Sequence, residues 1–253
     1  MGKIIAVANQ KGGVGKTTTC VNLCAALKAA GSRVLLCDMD PQGNSTSGLG
    51  VDKNKDAPNM YNVLIEGVIA ADAIVPTKYG DVLPSNKILS GAGIELVTAQ
   101  GREFVLKNVL SECRSNYDYI LIDCPPSLEM LTLNSLCAAD TVLIPVQCEY
   151  YALEGLTDLM TTIRMTKKSF NPNLDIEGVL LTMYDARTNF SAQVAAEIKR
   201  FFKEKVYRVT IPRSIRLAEA PSHGTPIINY DKASRGSQAY TELAKDLIIK
   251  NRR

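Results

Sequence analysis

The chain has 253 residues, of which 46% are hydrophobic and 22% are charged, and this is enough apolar material to bury a sizeable core in one domain over residues 1–253. Its formal charge of +3 is too small to indicate nucleic-acid binding by itself. Seven cysteines without a C-x-x-C pair indicate buried thiols rather than a disulfide or zinc framework. Neither a secretory leader nor an apolar run near the roughly 20 residues of a membrane span is found, so we expect a cytoplasmic protein.

Short runs of Val, Ile and Leu recur along the chain and alternate with stretches of helical spacing. The apolar runs are continuous, which is typical of strands covered on both faces. They predict an α/β fold, in which a mostly parallel, twisted sheet carries helices on both faces. A further strand lies at either 81–83 or 94–97, and we favour the first. The other predicted strands are 3–8, 33–37, 119–122, 141–146, 178–182 and 207–211.

Stretches with apolar residues at helical spacing lie between the predicted strands. In the last of them, Tyr240, Leu243 and Leu247 share one stripe, which is typical of a helix that packs on a core. Residues 44–87 show only short helical fragments among Gly, Asn, Asp and Pro. The predicted helices are 16–30, 102–114, 152–168, 191–203 and 234–250.

Directly after the first strand comes a glycine-rich loop that ends in lysine and threonine and opens a helix. Its glycines let backbone N–H groups converge on phosphate oxygens, and the helix N-terminus adds the positive end of its dipole. Lys16 neutralises the β and γ phosphates, and the Thr17 hydroxyl is a ligand for Mg²⁺. A glycine turn that merely connects two elements would not require either residue. The predicted P-loop nucleotide site consists of Lys11, Gly12, Gly13, Val14, Gly15, Lys16, Thr17 and Thr18.

Three aspartates stand at the ends of two predicted strands. Asp38 and Asp40 follow the second strand, and Asp123 follows the apolar run before a proline pair. Because the carboxyl ends of parallel strands meet at one edge of an open sheet, we expect these carboxylates beside the phosphate loop. Asp123 fits the Walker B aspartate, which holds Mg²⁺ through a water. The alternative for each aspartate is a turn or cap that simply ends a strand.

The phosphate loop departs from the ordinary motif at two positions. The ordinary loop has a glycine where this chain has Gln10, and it does not require Lys11. The form Lys-Gly-Gly-Val-Gly-Lys-Thr resembles the deviant Walker A motif of the ParA/MinD group of P-loop ATPases. The resemblance implies an ATP-dependent homodimer in which Lys11 reaches the nucleotide of the partner. By itself, without this motif, Lys11 would be read as a solvated loop lysine.

The resemblance also assigns the remaining roles at the nucleotide. A second cation supplied by the partner stabilises the charge that develops on the γ phosphate. Asp40 orients the attacking water, and Asp38 supports the Mg²⁺ site. Pro212 lies where this group holds the adenine base, which favours ATP over GTP. Lys11, Lys16 and Asp40 are then the catalytic residues.

Four further stretches separate the branches of this group. They resemble the ParA/Soj branch and occupy 40–44, 147–155, 185–189 and 211–224. Branches that carry metal clusters need cysteines across the dimer, whereas most cysteines here lie in apolar runs. MinD-like members carry a C-terminal helix that docks on lipid. Here Glu242 and Asp246 accompany Lys245 on a helix rich in Ala. We therefore expect no stable membrane association, and a MinD-like positioning ATPase is the alternative.

Positive charge is concentrated between residues 187 and 216, where eight Lys or Arg stand against two acids. With no recognition helix apparent, such a surface is typical of sequence-nonspecific contacts to DNA phosphates. A solvated helix face is the alternative for 199–205. The candidate DNA-binding residues are Arg187, Lys199, Arg200, Lys203, Arg213 and Arg216.

The ParA/Soj resemblance, which runs over nearly the whole chain, implies a DNA-partitioning ATPase that uses ATP and Mg²⁺. It also implies slow hydrolysis that acts as a timer, a ParB-like partner that stimulates this hydrolysis, and a location on the nucleoid. An efficient hydrolase is the contrasting reading, and the two differ in turnover.

Overall fold

The computed structural model describes residues 2–149, 152–185 and 187–251. Tyr150, Tyr151 and Ala186, which belong to two of the stretches singled out above, lie outside the described residues. Within the described chain, six strands form one sheet in the order β3-β2-β4-β1-β5-β6. Every neighbouring pair is parallel, so the predicted parallel sheet is confirmed. The strands are β1 Lys3–Val7, β2 Val34–Asp38, β3 Asp81–Leu83, β4 Tyr119–Asp123, β5 Thr141–Gln147 and β6 Asp175–Thr182.

Two hydrophobic cores cover the two faces of the sheet. Successive residues of β1 alternate between them, with Ile4 and Ala6 in one core and Ile5 and Val7 in the other. This alternation follows from the period of two in a strand, and it explains why the central strands are apolar throughout. Helices packed on both faces complete the predicted architecture.

The helices lie between and after the strands. The α-helices are α1 Lys16–Ala29, α2 Asn44–Gly48, α3 Ala70–Ala73, α4 Leu89–Glu95, α5 Val105–Cys113, α6 Met130–Ala138, α7 Ala152–Ser169, α8 Asn189–Phe202, α9 Ile215–Glu219, α10 Ile227–Tyr230 and α11 Arg235–Asn251. A π-helical turn spans Asn62–Glu66, and 3₁₀ turns span Leu96–Thr98, Arg102–Phe104, Arg114–Asn116, Lys203–Lys205 and Ala220–His223. Among the described residues no helix is long and apolar enough to cross a bilayer.

The predicted strand at 207–211 is wrong. Tyr207 N–H donates to Val179 O at 2.9 Å, and Ile211 N–H donates to Leu181 O at 2.8 Å. The segment therefore advances four residues while β6 advances two, so a regular parallel ladder cannot form and only isolated bridges remain.

The alternative strand at 94–97 is also excluded, because that stretch is helical, and the preferred 81–83 is confirmed. The predicted helix 102–114 is divided into a 3₁₀ turn, α5 and a second 3₁₀ turn. Helix α6 was not predicted from the sequence.

The first strand and the last helix are tied together around one buried carboxylate. Glu177 is 1% exposed, and its side chain lies 2.7 Å from the Lys3 ammonium and 3.2 Å from that of Lys250. On the same face, the Tyr240 hydroxyl of α11 lies 3.2 Å from the Thr19 hydroxyl of α1. Helix α11 thus contacts α1, which follows the phosphate loop, through Tyr240 and contacts β6 through Lys250 at its C-terminal end.

Candidate nucleotide site

The phosphate loop joins the carboxyl end of β1 to the first residue of α1. Gly13 and Gly15 have φ values of 74° and 91°, in the left-handed region that favours glycine. The loop is anchored from the neighbouring strands. Thr182 Oγ1 donates to Val14 O at 2.7 Å, and Asn9 Nδ2 donates to Pro145 O at 2.7 Å. This geometry directs backbone N–H groups and the N-terminus of α1 into the same space.

The two lysines of the loop have different environments. Lys16 is 6% exposed, and its ammonium donates to Lys11 O at 3.2 Å, inside the loop. Burial lowers the pKa of Lys16, and the charge of Asp123 opposes this shift. The Lys11 ammonium instead points outward and lies 3.3 Å from Glu149 Oε2, with about a third of its side chain exposed. Lys16 is thus enclosed in the site of its own chain, whereas Lys11 lies at its rim.

Asp123 is the least satisfied carboxylate of the site. It is fully buried, and neither of its oxygens has a hydrogen-bond partner among the described residues. Burial, together with the neighbouring charge of Asp38, raises the pKa of Asp123 to about 7, although the Thr17 side chain offsets part of the rise. A divalent cation would supply the missing partner, so Asp123 and the Thr17 hydroxyl fit a Mg²⁺ site.

Asp38 lies beside Asp123 but is already hydrogen-bonded. Its Oδ2 accepts from Thr46 N at 2.8 Å and from Thr46 Oγ1 at 2.7 Å, and its Oδ1 accepts from Asp40 N at 3.2 Å. Burial raises the pKa of Asp38, and the contacts with Thr46 counteract this effect. These bonds suit a supporting carboxylate near the metal better than a direct ligand.

Asp40 begins the turn after β2 and reaches the surface of the site with 9% of its area exposed. Its Oδ1 accepts from Gln42 N at 2.9 Å, which orients the carboxylate within its own turn. The carboxylate therefore has a fixed direction and some access to solvent, the two properties that positioning a water requires.

A cavity of about 340 Å³ adjoins the phosphate loop at Gly15 and Thr18. Pro212, the residue predicted to lie at the adenine base, is in its wall. The cavity is also lined by Met183, which has a φ of 48°, and by Tyr240 of α11. No signal in the sequence predicted that either residue lines a cavity. Mostly apolar walls next to a phosphate loop suit a planar heterocyclic base.

The candidate DNA-binding residues do not form a single cluster. Arg187 pairs with Asp185 at 2.7 Å, and Arg213 lies near enough to contribute to the lowered pKa of Asp185, which Arg187 mainly causes. Arg216 is the second residue of α9 and pairs with Glu219 at 3.1 Å. These three arginines follow the end of β6 or the segment beside it.

The other three candidates lie on the C-terminal part of α8 and the turn after it. That turn lies near the start of β6, where Lys205 pairs with Asp175 at 2.8 Å. Arg200 pairs with Glu197 at 3.0 Å along its own helix. The basic stretch of the sequence is thus divided between the two ends of β6.

A parallel sheet of this order, a glycine loop that closes on a buried lysine, and a strand-end aspartate with unpaired oxygens define a P-loop nucleotide-binding domain. A family described as "AAA domain" matches residues 2–176. This range includes the phosphate loop and Asp123 but ends before Met183, Pro212 and Tyr240 of the cavity.

Comparison with known proteins narrows the class. The chain is 57% identical over 249 residues to "Sporulation initiation inhibitor protein Soj" of Bacillus subtilis, which covers 98% of both chains. It is 50% identical over 250 residues to "Chromosome partitioning protein ParA" of Myxococcus xanthus, covering 98% of this chain and 88% of the other. The chain therefore belongs to the ParA/Soj family of partitioning proteins, and the predicted resemblance is confirmed.

A solved structure of similar fold is that of cobyrinic acid a,c-diamide synthase from Mycobacterium smegmatis with bound ATP analogue and magnesium. It has a TM-score of 0.88 and 39% sequence identity, and covers 100% of this chain and 98% of that one. The likeness confirms the fold class.

Replacement of Asp123 by Asn should change how stability depends on pH. In the folded chain the pKa of Asp123 is raised to about 7 from 3.8, so this group takes up a proton on folding between these values, and its contribution to stability falls as pH rises from 4 to 7. The cost at higher pH is at most about 4 kcal/mol. Without Mg²⁺, Asp123→Asn should therefore be more stable than wild type at pH 8, and the gain should shrink towards pH 4.5.

Urea denaturation at both pH values, in EDTA, measures this difference. Mg²⁺ added at pH 8 should stabilise the wild-type protein more than the variant. A gain that stays constant from pH 4.5 to pH 8 would contradict the assignment of a raised pKa to Asp123.

Proposed function

We propose that this protein is a DNA-partitioning ATPase that forms an ATP-sandwich dimer and binds DNA without sequence preference. Slow hydrolysis, stimulated by a ParB-like partner, resets it, and its location is the cytoplasm, on the nucleoid. The observation that carries the proposal is the outward position of Lys11 beside an enclosed Lys16. These positions support a role for Lys16 at the nucleotide of its own chain and for Lys11 at the nucleotide of a second chain.

The Lys11–Glu149 contact favours this role because it is weak and reversible. Both side chains are partly exposed, and an exposed ion pair contributes about 0–1 kcal/mol. A triphosphate on a partner subunit carries more charge than Glu149 and would attract the ammonium away from it. Open space at Gly12 and Gly13 supports the same geometry, because a Cβ at either position meets no atom within 4 Å.

Within one chain, the nucleotide is held by three groups of residues. The loop N–H groups and Lys16 bind the phosphates, and the cavity at Pro212 accepts the adenine base. Thr17 and Asp123 would hold Mg²⁺, with Asp38 behind them. When bound, Mg²⁺ would supply positive charge that offsets the charge developing on the phosphates.

Asp40 orients the attacking water during hydrolysis. Its oriented, partly accessible carboxylate lies on the same sheet edge as the phosphate loop, and no histidine is needed for this step.

The arginines after β6 provide the DNA surface. Arg187 and Arg216 are paired with surface acids, at 2.7 Å and 3.1 Å, and such pairs exchange readily for DNA phosphates. Two subunits joined by ATP present two such surfaces, which multiplies a weak contact through high local concentration. A lipid-docking role for α11 is not supported, because Leu243 and Leu247 are fully buried against the sheet.

Gly12→Val should prevent ATP-dependent dimerisation while leaving the fold intact. The new side chain has free space in the monomer but would occupy the position of the partner's phosphates and Lys11. Gly93→Val is a matched control, since a Cβ at Gly93 also meets nothing within 4 Å. Light scattering with ATP should show dimers for wild type and for Gly93→Val. For Gly12→Val we expect a loss of at least about tenfold in dimer affinity. Unimpaired dimerisation of Gly12→Val would exclude the sandwich geometry.

Asp40→Ala should bind ATP and accumulate as the ATP-bound dimer, because the variant loses the group that orients water but keeps the phosphate loop. Single-turnover hydrolysis, measured alongside ATP affinity, separates these effects. We expect a loss of about 100-fold or more in hydrolysis with unchanged affinity. Hydrolysis at the wild-type rate would remove Asp40 from the mechanism.

Reversal of charge at Arg187 and Arg216 to Glu should abolish DNA retention without affecting ATP binding or dimerisation. The matched control replaces Arg33 and Lys167 by Glu. Arg33 precedes β2 and pairs with Asp118, and Lys167 of α7 lies near Asp175 at the start of β6. Both variants change the net charge equally, so a loss confined to the first pair identifies the surface.

Gel shifts on unrelated DNA sequences, with ATP or ADP and at two salt concentrations, measure the effect. Wild-type binding should require ATP and weaken steeply with salt. Equal binding with ADP would show that this surface is not gated by ATP.

A further inference from the structure

The turn that carries Asp40 is held from the outside by two residues of distant segments. Ser85, just after β3, donates its hydroxyl to Asp40 O at 2.9 Å. Lys53, in the loop after α2, donates its ammonium to Gln42 O at 2.6 Å. Two backbone carbonyls on either side of Pro41 are therefore fixed by side chains that do not belong to the turn.

A chain of buried hydrogen bonds connects Ser85 to the second aspartate. Ser85 N–H donates to Thr46 Oγ1 at 2.9 Å, and the Thr46 hydroxyl in turn donates to Asp38 Oδ2 at 2.7 Å. Ser85 and Thr46 are both completely buried. Since a carboxylate only accepts hydrogen bonds, the direction of the chain is fixed, and Ser85 is connected to the positions of both Asp38 and Asp40.

The turn also packs closely against these residues. Gly43 has a φ of 61°, and a Cβ there would come within 2.6 Å of Ser85 O and 2.9 Å of Lys53 Cδ. The backbone of the turn thus rests directly on the segment after β3. It cannot move towards that segment, and the two hydrogen bonds prevent it from moving away.

We propose that Ser85 and Lys53 are positioning residues for hydrolysis, which keep the Asp40 carboxylate directed at the attacking water. The inference rests on the proposed role of Asp40 and extends it to two residues outside the nucleotide site. Neither residue belongs to the phosphate loop or the base cavity, so ATP binding does not depend on them. Small misplacement of a catalytic group lowers a rate by as much as about 100-fold, and one hydrogen bond is enough to influence the populated geometry.

Lys53→Met is the principal variant for the test. It keeps most of the aliphatic stem beside Gly43 and removes only the ammonium. Because Lys53 is half-buried, we expect this variant to fold. Single-turnover hydrolysis should fall at least about fivefold, while ATP affinity stays at the wild-type value and the ATP-bound dimer persists longer. Lys53→Arg, which retains a donor, should recover most of the rate. Lys55→Met is the matched control, since Lys55 is exposed and lies two residues away, and it should hydrolyse ATP like wild type.

Ser85→Ala provides a second measurement at the other carbonyl. It leaves the backbone bond to Thr46 in place and should lower hydrolysis in the same way, again with unchanged ATP affinity. If this buried variant fails to fold, the Lys53 series alone decides the question. Parallel losses of hydrolysis and ATP affinity in Lys53→Met would indicate general disruption and overturn the inference.

The result for Asp40→Ala distinguishes this inference from the proposed function. If Asp40→Ala abolishes hydrolysis but Lys53→Met retains the full rate, Asp40 is catalytic and the positioning role is refuted. If Asp40→Ala itself hydrolyses at the wild-type rate, the proposed mechanism fails first, and with it the inference. Loss of hydrolysis in both, with recovery in Lys53→Arg, supports both statements.

Discussion

The whole site depends on the pairing of β4 between β1 and β2. Parallel register places Asp123 opposite both Val7, the last residue of β1, and Asp38, the last residue of β2. Two carboxylates are thereby brought side by side in the interior, together with the buried Lys16. Buried like charges are unfavourable unless a cation joins them, and burial together with the charge of Asp38 raises the pKa of Asp123. The unpaired carboxylate oxygens of Asp123 are the feature that makes this edge of the sheet a candidate cation site.

Local signals allowed most of this edge to be predicted from the sequence. The phosphate loop could be predicted because its motif consists of consecutive residues. The strand-end carboxylates could be predicted because continuous apolar runs end in aspartate. The base cavity was beyond such reasoning, except at Pro212, because its walls are brought together from residues far apart in the chain. Ser85 and Lys53 have no signal for the same reason, since a serine or lysine in a loop is ordinary until the fold places it against a particular carbonyl.

Two errors have a common physical origin. The segment after α8 is rich in β-branched and aromatic residues, which favours a strand, but it advances at a different rate from β6 and cannot form a ladder with it. The sequence predicts that the basic stretch 187–216 forms one surface. Helix α8, however, leads from the end of β6 back towards its start, so the basic residues lie at both ends of this strand. Composition describes what a segment contains, whereas register and helix direction determine where its side chains lie.

The position of Tyr240 in the wall of the base cavity has a consequence for how the cavity forms during folding. Its hydroxyl lies 3.2 Å from that of Thr19, which is 221 residues away in the sequence, so the cavity joins two segments that are far apart along the chain. Contacts of such long sequence separation form late, after most of the loop-closure entropy has been lost. A partly folded chain in which α11 has not yet packed against α1 therefore has a phosphate loop without a complete base cavity, and tight nucleotide binding requires the packed helix.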